Sequence, residues 1–96
     1  MTERAVVETE SVARLAPHMK LRFDKARDIW TIQAPERSFQ LDPIAHQVVS
    51  RLDGVATVGG VIATLCAAFP DAPADVIDTD VRKLIQDLAD KGVLAL

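Results

Sequence analysis

In the stretch ERSFQLDPIAH, residues 36–46, one backbone period gives way to another within two residues. Arg37, Phe39 and Leu41 alternate with Ser38 and Gln40 in the period-2 pattern of a half-buried strand, and Asp42-Pro43 then opens a helix. Asp42 can accept from the free amides of a first turn, and Pro43 at the first helical position gives up an amide that has no partner there in any case. A strand that runs straight into a helix cannot fold back into a further hairpin on that side. Such an ending is expected of a sheet edge, and outer main-chain groups that no strand of the chain pairs would call for another partner.

Upstream, Met19, Leu21 and Phe23 alternate with Lys20, Arg22 and Asp24, which predicts a first strand over residues 18–24. The polar segment that follows leads into Ile29-Trp30-Thr31-Ile32, a β-branched and aromatic second strand, and Ala34-Pro35-Glu36 makes the next turn. With a third strand over residues 37–41, these form an antiparallel meander with the second strand in the middle. Downstream the period is helical. Ile44, Ala45, Val48, Val49 and Leu52 form an inward stripe closed by Gly54 as a left-handed cap. Thr57 caps a second helix carrying Val58, Ile62, Leu65 and Phe69 on one face, with Pro70 as its stop. A third begins near Pro73, lines up Ile77, Val81, Leu84 and Leu88 with Ile85 on the shoulder, and ends at Lys91 and Gly92. Residues 93–96 form a terminal extended segment. The predicted class is α+β, winged helix-turn-helix-like, in the order βββααα, with residues 1–12 as a flexible N-terminal arm and residues 13–96 as one domain.

Composition narrows the function classes. A chain of 96 residues has room for one core and no deep interdomain cleft. Fourteen acids against eleven bases, a net charge of -3, disfavour generic attraction to nucleic acid or anionic lipid. One cysteine, Cys66, allows no intrachain disulfide and no thiolate cage, and the acidic N-terminus lacks the pattern of a signal peptide. The expected location is the cytoplasm. His18 and His46 stand on different elements without a ligand at helical spacing, and the glycines of residues 54–60 follow no phosphate-binding pattern. Cys66 and Trp30 read first as core, and the aspartates of the third helix read as complements to its dipole. No nucleophile pairs with a base, so neither an enzyme nor a bound cofactor or metal is expected. A winged-helix DNA-binding domain of a transcription regulator is the alternative. It needs a basic recognition helix, whereas Arg82, Lys83 and Lys91 face Asp75, Asp78, Asp80, Asp87 and Asp90. The same scaffold can instead accept an extended peptide along its exposed strand edge.

Arg14-Leu15, Leu21-Arg22-Phe23-Asp24, Trp30, Pro35-Glu36-Arg37, Leu41-Asp42, Leu52-Asp53-Gly54, Asp80-Val81 and Gly92-Val93-Leu94 together resemble the PqqD family of pyrroloquinoline quinone biosynthesis, over residues 14–94. These proteins typify the recognition elements of ribosomal peptide maturation. Gln33, where a leucine is common, and Gly59-Gly60, in place of more polar helix formers, depart from its pattern. The resemblance implies a non-catalytic chaperone that binds the precursor peptide PqqA and presents it to the radical SAM enzyme PqqE, which carries the iron-sulfur clusters itself. It further implies a peptide strand along Glu36, Arg37, Ser38, Phe39, Gln40 and Leu41, packed against Asp80, Val81, Leu84 and Ile85. Lys83 and Arg37 would steer acidic side chains of the peptide. Val81, Leu84 and Ile85 each have the spacing of either groove lining or core. An open edge also makes a homodimer, through strand pairing or swapped elements, a secondary expectation.

Overall fold

The structure, a computed structural model, describes residues 7–35 and 37–96; residues 1–6 of the expected arm and the expected site residue Glu36 lie outside it. The elements run β1 (Val12–Leu15), β2 (Lys20–Asp24), β3 (Ile29–Gln33), β4 (Ser38–Leu41), α1 (Pro43–Val49), β5 (Asp53–Thr57), α2 (Val58–Ala68), α3 (Ala74–Asp90) and β6 (Leu94–Ala95). It is a mixed α+β fold with two antiparallel three-stranded sheets, ordered β2-β3-β4 and β5-β1-β6. The expected βββααα order is thus corrected by two added strands, β1 and β5, while β6 falls within the terminal extended segment expected over residues 93–96.

The meander forms where alternation predicts it. Leu21, Ile32 and Phe39 stand in one cross-strand row, and Phe23, Trp30 and Leu41 in the next. Ile32, on the central strand, is completely buried. This face meets α1 through Trp30, whose ring stacks on His46 with centroids 4.3 Å apart and planes 6° from parallel, while Phe23 meets the indole edge-on at 5.4 Å. Asp42 caps α1 by accepting from the Ala45 amide at 2.7 Å. Ala45, Val48, Val49 and Leu52 then point into the core at i, i+3, i+4 and i+7. Ile44, expected in that stripe, is instead 71% exposed, because it stands outside that spacing in the first turn.

The second sheet is made by residues far apart in sequence. Arg14 pairs with both Asp53 and Ala95, so β1 joins the middle of the chain to its last strand. Against β1, residues 53–57 span two positions more than residues 12–14, and a bulge takes up the excess. Gly54 sits in it at φ 79°, a left-handed conformation that costs glycine little. Gly54 therefore serves a strand bulge and does not close α1, which ends at Val49 with Ser50 as its cap. Asp53 stabilises the bulge by accepting from the amides of Val55 and Ala56, each at 2.9 Å.

Those two bonds, Ala56 first, hold the Asp53 carboxyl below its ordinary value of 3.8. A depressed folded-state value adds stability that is complete above the unfolded value and is lost as pH falls through the folded one. Asp53→Ala should therefore be less stable than the parent at neutral pH, and the two urea midpoints should converge below about pH 3.8. A gap that persists in acid would assign the loss to something other than the carboxylate.

Residues 7–11 are tied to the helices. The carbonyls of Ser11 and Thr9 accept from the amides of Val58 and Gly59 at 2.7 and 2.9 Å, and Thr57 Oγ1 accepts from Gly60 at 3.0 Å, so three first-turn amides of α2 are satisfied. A Cβ at position 59 would lie 2.5 Å from Thr9 Cγ2, so Gly59 permits this close approach. Farther along, the Val7 amide donates to Gln86 Oε1 at 2.8 Å, and an Arg82 guanidinium nitrogen donates to Thr9 Oγ1 at 2.7 Å. Ile85, Val58, Val61, Val93, Val48 and Ile32 are the largest wholly buried side chains, so the core lies where all three helices meet both sheets.

Candidate peptide-binding edge

The hydrogen-bond parity of the β3–β4 hairpin decides which groups of β4 are open. Residues face each other as Gln33–Ser38, Ile32–Phe39, Thr31–Gln40 and Trp30–Leu41, and at the turn the Ala34 amide donates to the Arg37 carbonyl at 2.8 Å. In an antiparallel pair, hydrogen-bonded and non-bonded positions alternate. Counting from Arg37, the main-chain groups of Phe39 and Leu41 turn inward to β3, and those of Ser38 and Gln40 turn outward. No strand among the described residues pairs with that outer side. The short segment thus presents two donors and two acceptors in a row.

The side chains on either face differ. Ser38 and Gln40 are exposed and polar, while Phe39 is half-buried on the core-facing side and Leu41 is buried. Arg37 extends over the Phe39 ring, its guanidinium carbon 4.9 Å from the centroid, so a cation stands at the start of the edge.

At its other end the edge runs into a cleft. Asp42, the residue after β4, forms one wall with Ile44 and Ala45, and α3 supplies the opposite wall with Asp80, Lys83, Leu84 and Asp87; the open volume is about 700 Å³. A second, apolar groove of about 290 Å³ adjoins it between α1, the end of α2 and the start of α3, sharing Ile44, Asp80 and Leu84 with the first. Phe69 and Val76, both about half exposed, line this groove. Phe69, expected on the inward face of α2, thus reaches the groove from the helix's final cap.

The division of α3 explains which of its residues can meet a guest. Val81, Ile85 and Leu88 point into the core. Arg82 and Gln86 are engaged by residues 7–9, and Arg82 Nε also donates to Asp78 at 2.6 Å. Asp80, Lys83, Leu84 and Asp87 remain toward the cleft. Of the five α3 residues named from sequence, the structure brings Asp80, Lys83 and Leu84 together and assigns Ile85 to the core at 0% exposure. Val81 is 3% exposed and touches only the floor of the second groove. Ile44, Asp42 and Asp87 are cleft residues that the sequence does not single out; for Ile44 the available signal is its offset from the stripe that begins at Ala45. Among the described residues, no group of three or more histidine, cysteine or acidic side chains is placed to hold a metal ion, and Cys66 is half-buried against the core. No helix among them is long and apolar enough to cross a membrane.

Comparison with known proteins gives a consistent result. The family model described as coenzyme PQQ synthesis protein D (PqqD) matches residues 30–94. A PqqA binding protein from Bradyrhizobium diazoefficiens is 45% identical over 80 residues, covering 83% of this chain and 77% of the relative. One from Gluconobacter oxydans is 39% identical over 95 residues and 98% of each chain. Among solved structures, the PqqD truncation of Methylobacterium extorquens PqqCD, described as a functional and stand-alone recognition element for ribosomally synthesized and post-translationally modified peptides, overlays with a TM-score of 0.82 at 34% identity. It covers 99% of this chain and 100% of that one. The crystal structure of PqqD from Xanthomonas campestris overlays with a TM-score of 0.59 at 40% identity, covering 95% and 100%.

Proposed function

The chain belongs to the PqqD family, and from that premise we propose that it is a non-catalytic chaperone that captures the precursor peptide PqqA by strand addition and presents it to the radical SAM enzyme PqqE. The observation that carries this reading is the outward turn of the Ser38 and Gln40 main-chain groups, beside the cleft that α3 lines with Asp80, Lys83 and Leu84. Main-chain pairing supplies sequence-tolerant affinity, and Phe39, Leu84 and Ile44 supply apolar contact for alternate side chains. The winged-helix frame then serves a peptide and not DNA. Over its length α3 holds five aspartates against one arginine and one lysine, and its arginine is already bonded to Asp78 and Thr9. The proposed setting is the cytoplasm.

Titration of the isotope-labelled chain with PqqA tests the proposal. Amide shifts are expected at residues 38–41 and around residues 80–87, with no saturable response to duplex DNA. Shifts confined to another surface would refute strand capture. A homodimer formed through the same edge competes for the same groups, so gel filtration should show added peptide dissociating it.

A further inference from the structure

The parity and charge of the β4 edge say what kind of segment fits it, and this step rests on the strand-capture reading. Within β4, Ser38 and Gln40 turn their main-chain groups outward, so a guest strand forms its hydrogen-bonded pairs opposite those two residues. The guest residues opposite Leu41, Phe39 and Arg37 then fall at non-hydrogen-bonded positions, where facing side chains come closest. All three project to the face that carries Phe39 and the Arg37 guanidinium. Running antiparallel to β4, as every strand pair here does, the guest meets Leu41 first, Phe39 two residues later and Arg37 two residues after that.

Those three positions differ in charge. At the Arg37 end a cation lies over the Phe39 ring, with its centroid 4.9 Å away. At the Leu41 end the strand passes into the cleft, whose lining carries Asp42, Asp80, Asp87 and Asp90 against Lys83. Part of that negative charge is engaged: Lys91 reaches Asp87 at 3.0 Å, Asp42 accepts from Ala45, and Asp90 accepts from Gln86. Leaving Asp90 aside, three carboxylates, Asp42, Asp80 and Asp87, stand against Lys83 and Lys91 among the described residues. Between the two ends stands the half-buried Phe39.

We infer that the captured segment is bipolar and short, with a basic residue at position i over the cleft, an apolar residue at i+2 against Phe39 and an acidic residue at i+4 beside Arg37. The residues between them face solvent with Ser38 and Gln40, so their identity matters little. The order of charges, base toward the guest's N-terminus, follows from antiparallel pairing. It gives the edge a preferred direction that backbone hydrogen bonds alone do not impose.

Three nine-residue peptides of equal composition test this against PqqA as the reference guest. The first carries lysine, phenylalanine and glutamate at i, i+2 and i+4 in a threonine and serine background. The second exchanges the lysine and glutamate, and the third moves the phenylalanine by one position. Amide shifts of Ser38 and Gln40 report strand pairing, and their concentration dependence gives Kd. The first peptide should bind about tenfold tighter than either of the others, the scale set by two cross-strand charge pairs or one misplaced apolar contact. Arg37→Glu makes both ends of the edge negative and should bring the first two peptides to nearly equal affinity. Equal affinities, or failure of all three to bind while PqqA shifts Ser38 and Gln40, overturn the bipolar pattern and leave strand capture standing. Absence of those shifts with PqqA itself overturns strand capture.

Discussion

Gln40→Pro is expected to lower affinity for the precursor peptide at least about tenfold while leaving far-ultraviolet circular dichroism unchanged. The Gln40 amide points away from β3, so proline removes no bond within the hairpin. The exposed Gln40 side chain contributes little packing, and proline's restriction on the preceding residue is already met in a strand. What changes is the guest's side. One donor is gone, its carbonyl partner is left unpaired, and the ring stands where the guest backbone must approach. An unmade bond plus an unsatisfied guest acceptor is worth about 2 kcal/mol, more than a tenfold change in Kd. Phe39→Pro is the internal control, because that amide faces β3 and its loss should unsettle the meander itself. Equal peptide affinity of Gln40→Pro and the parent would place the binding surface elsewhere.

Ile85→Ala should have the largest effect on stability and leave peptide affinity of the folded fraction nearly intact. Ile85 is 0% exposed at the junction of α3 with the rest of the core, and truncating such a side chain costs about 2–5 kcal/mol. For a domain of this size that corresponds to a fall in Tm of roughly 10–25 °C. Leu84→Ala should behave in the opposite sense. Leu84 is half-buried and lines both the cleft and the apolar groove, so its truncation costs less stability and more affinity. Calorimetry and peptide titration on the two variants would separate core from groove. A weaker peptide complex for Ile85→Ala than for Leu84→Ala would reverse the division of α3 drawn from burial.

That division shows how far the sequence could be read. Local signals were legible: the alternation of residues 20–24 and 38–41, the Asp42-Pro43 start of α1, the Thr57 cap and the Lys91-Gly92 end of α3 each depend on neighbours a few residues away. The sheet β5-β1-β6 was not, because Arg14 meets Asp53 and Ala95 by tertiary pairing, and neither Val12–Leu15 nor Asp53–Thr57 alternates apolar with polar residues in its sequence. Gly54 carries the same left-handed signal in a bulge as in a helix cap, so position in sequence alone misassigns it. Periodicity likewise finds the apolar stripe of α3 but not its neighbours. Ile85 and Leu84 exchange the roles of shoulder and centre because residues 7–9 claim the flank at Arg82 and Gln86, which turns Asp80, Lys83 and Leu84 toward α1.

Trp30 is the chain's single tryptophan, and the chain has no tyrosine, so its near-ultraviolet emission originates from one indole. That indole lies flat against an imidazole of α1 and stands across from Leu41, the last residue of the open strand. The molecule thus contains its own optical gauge at the joint between meander and helices. Any occupant that shifts β4 relative to α1 changes the colour or yield of that light without an attached dye.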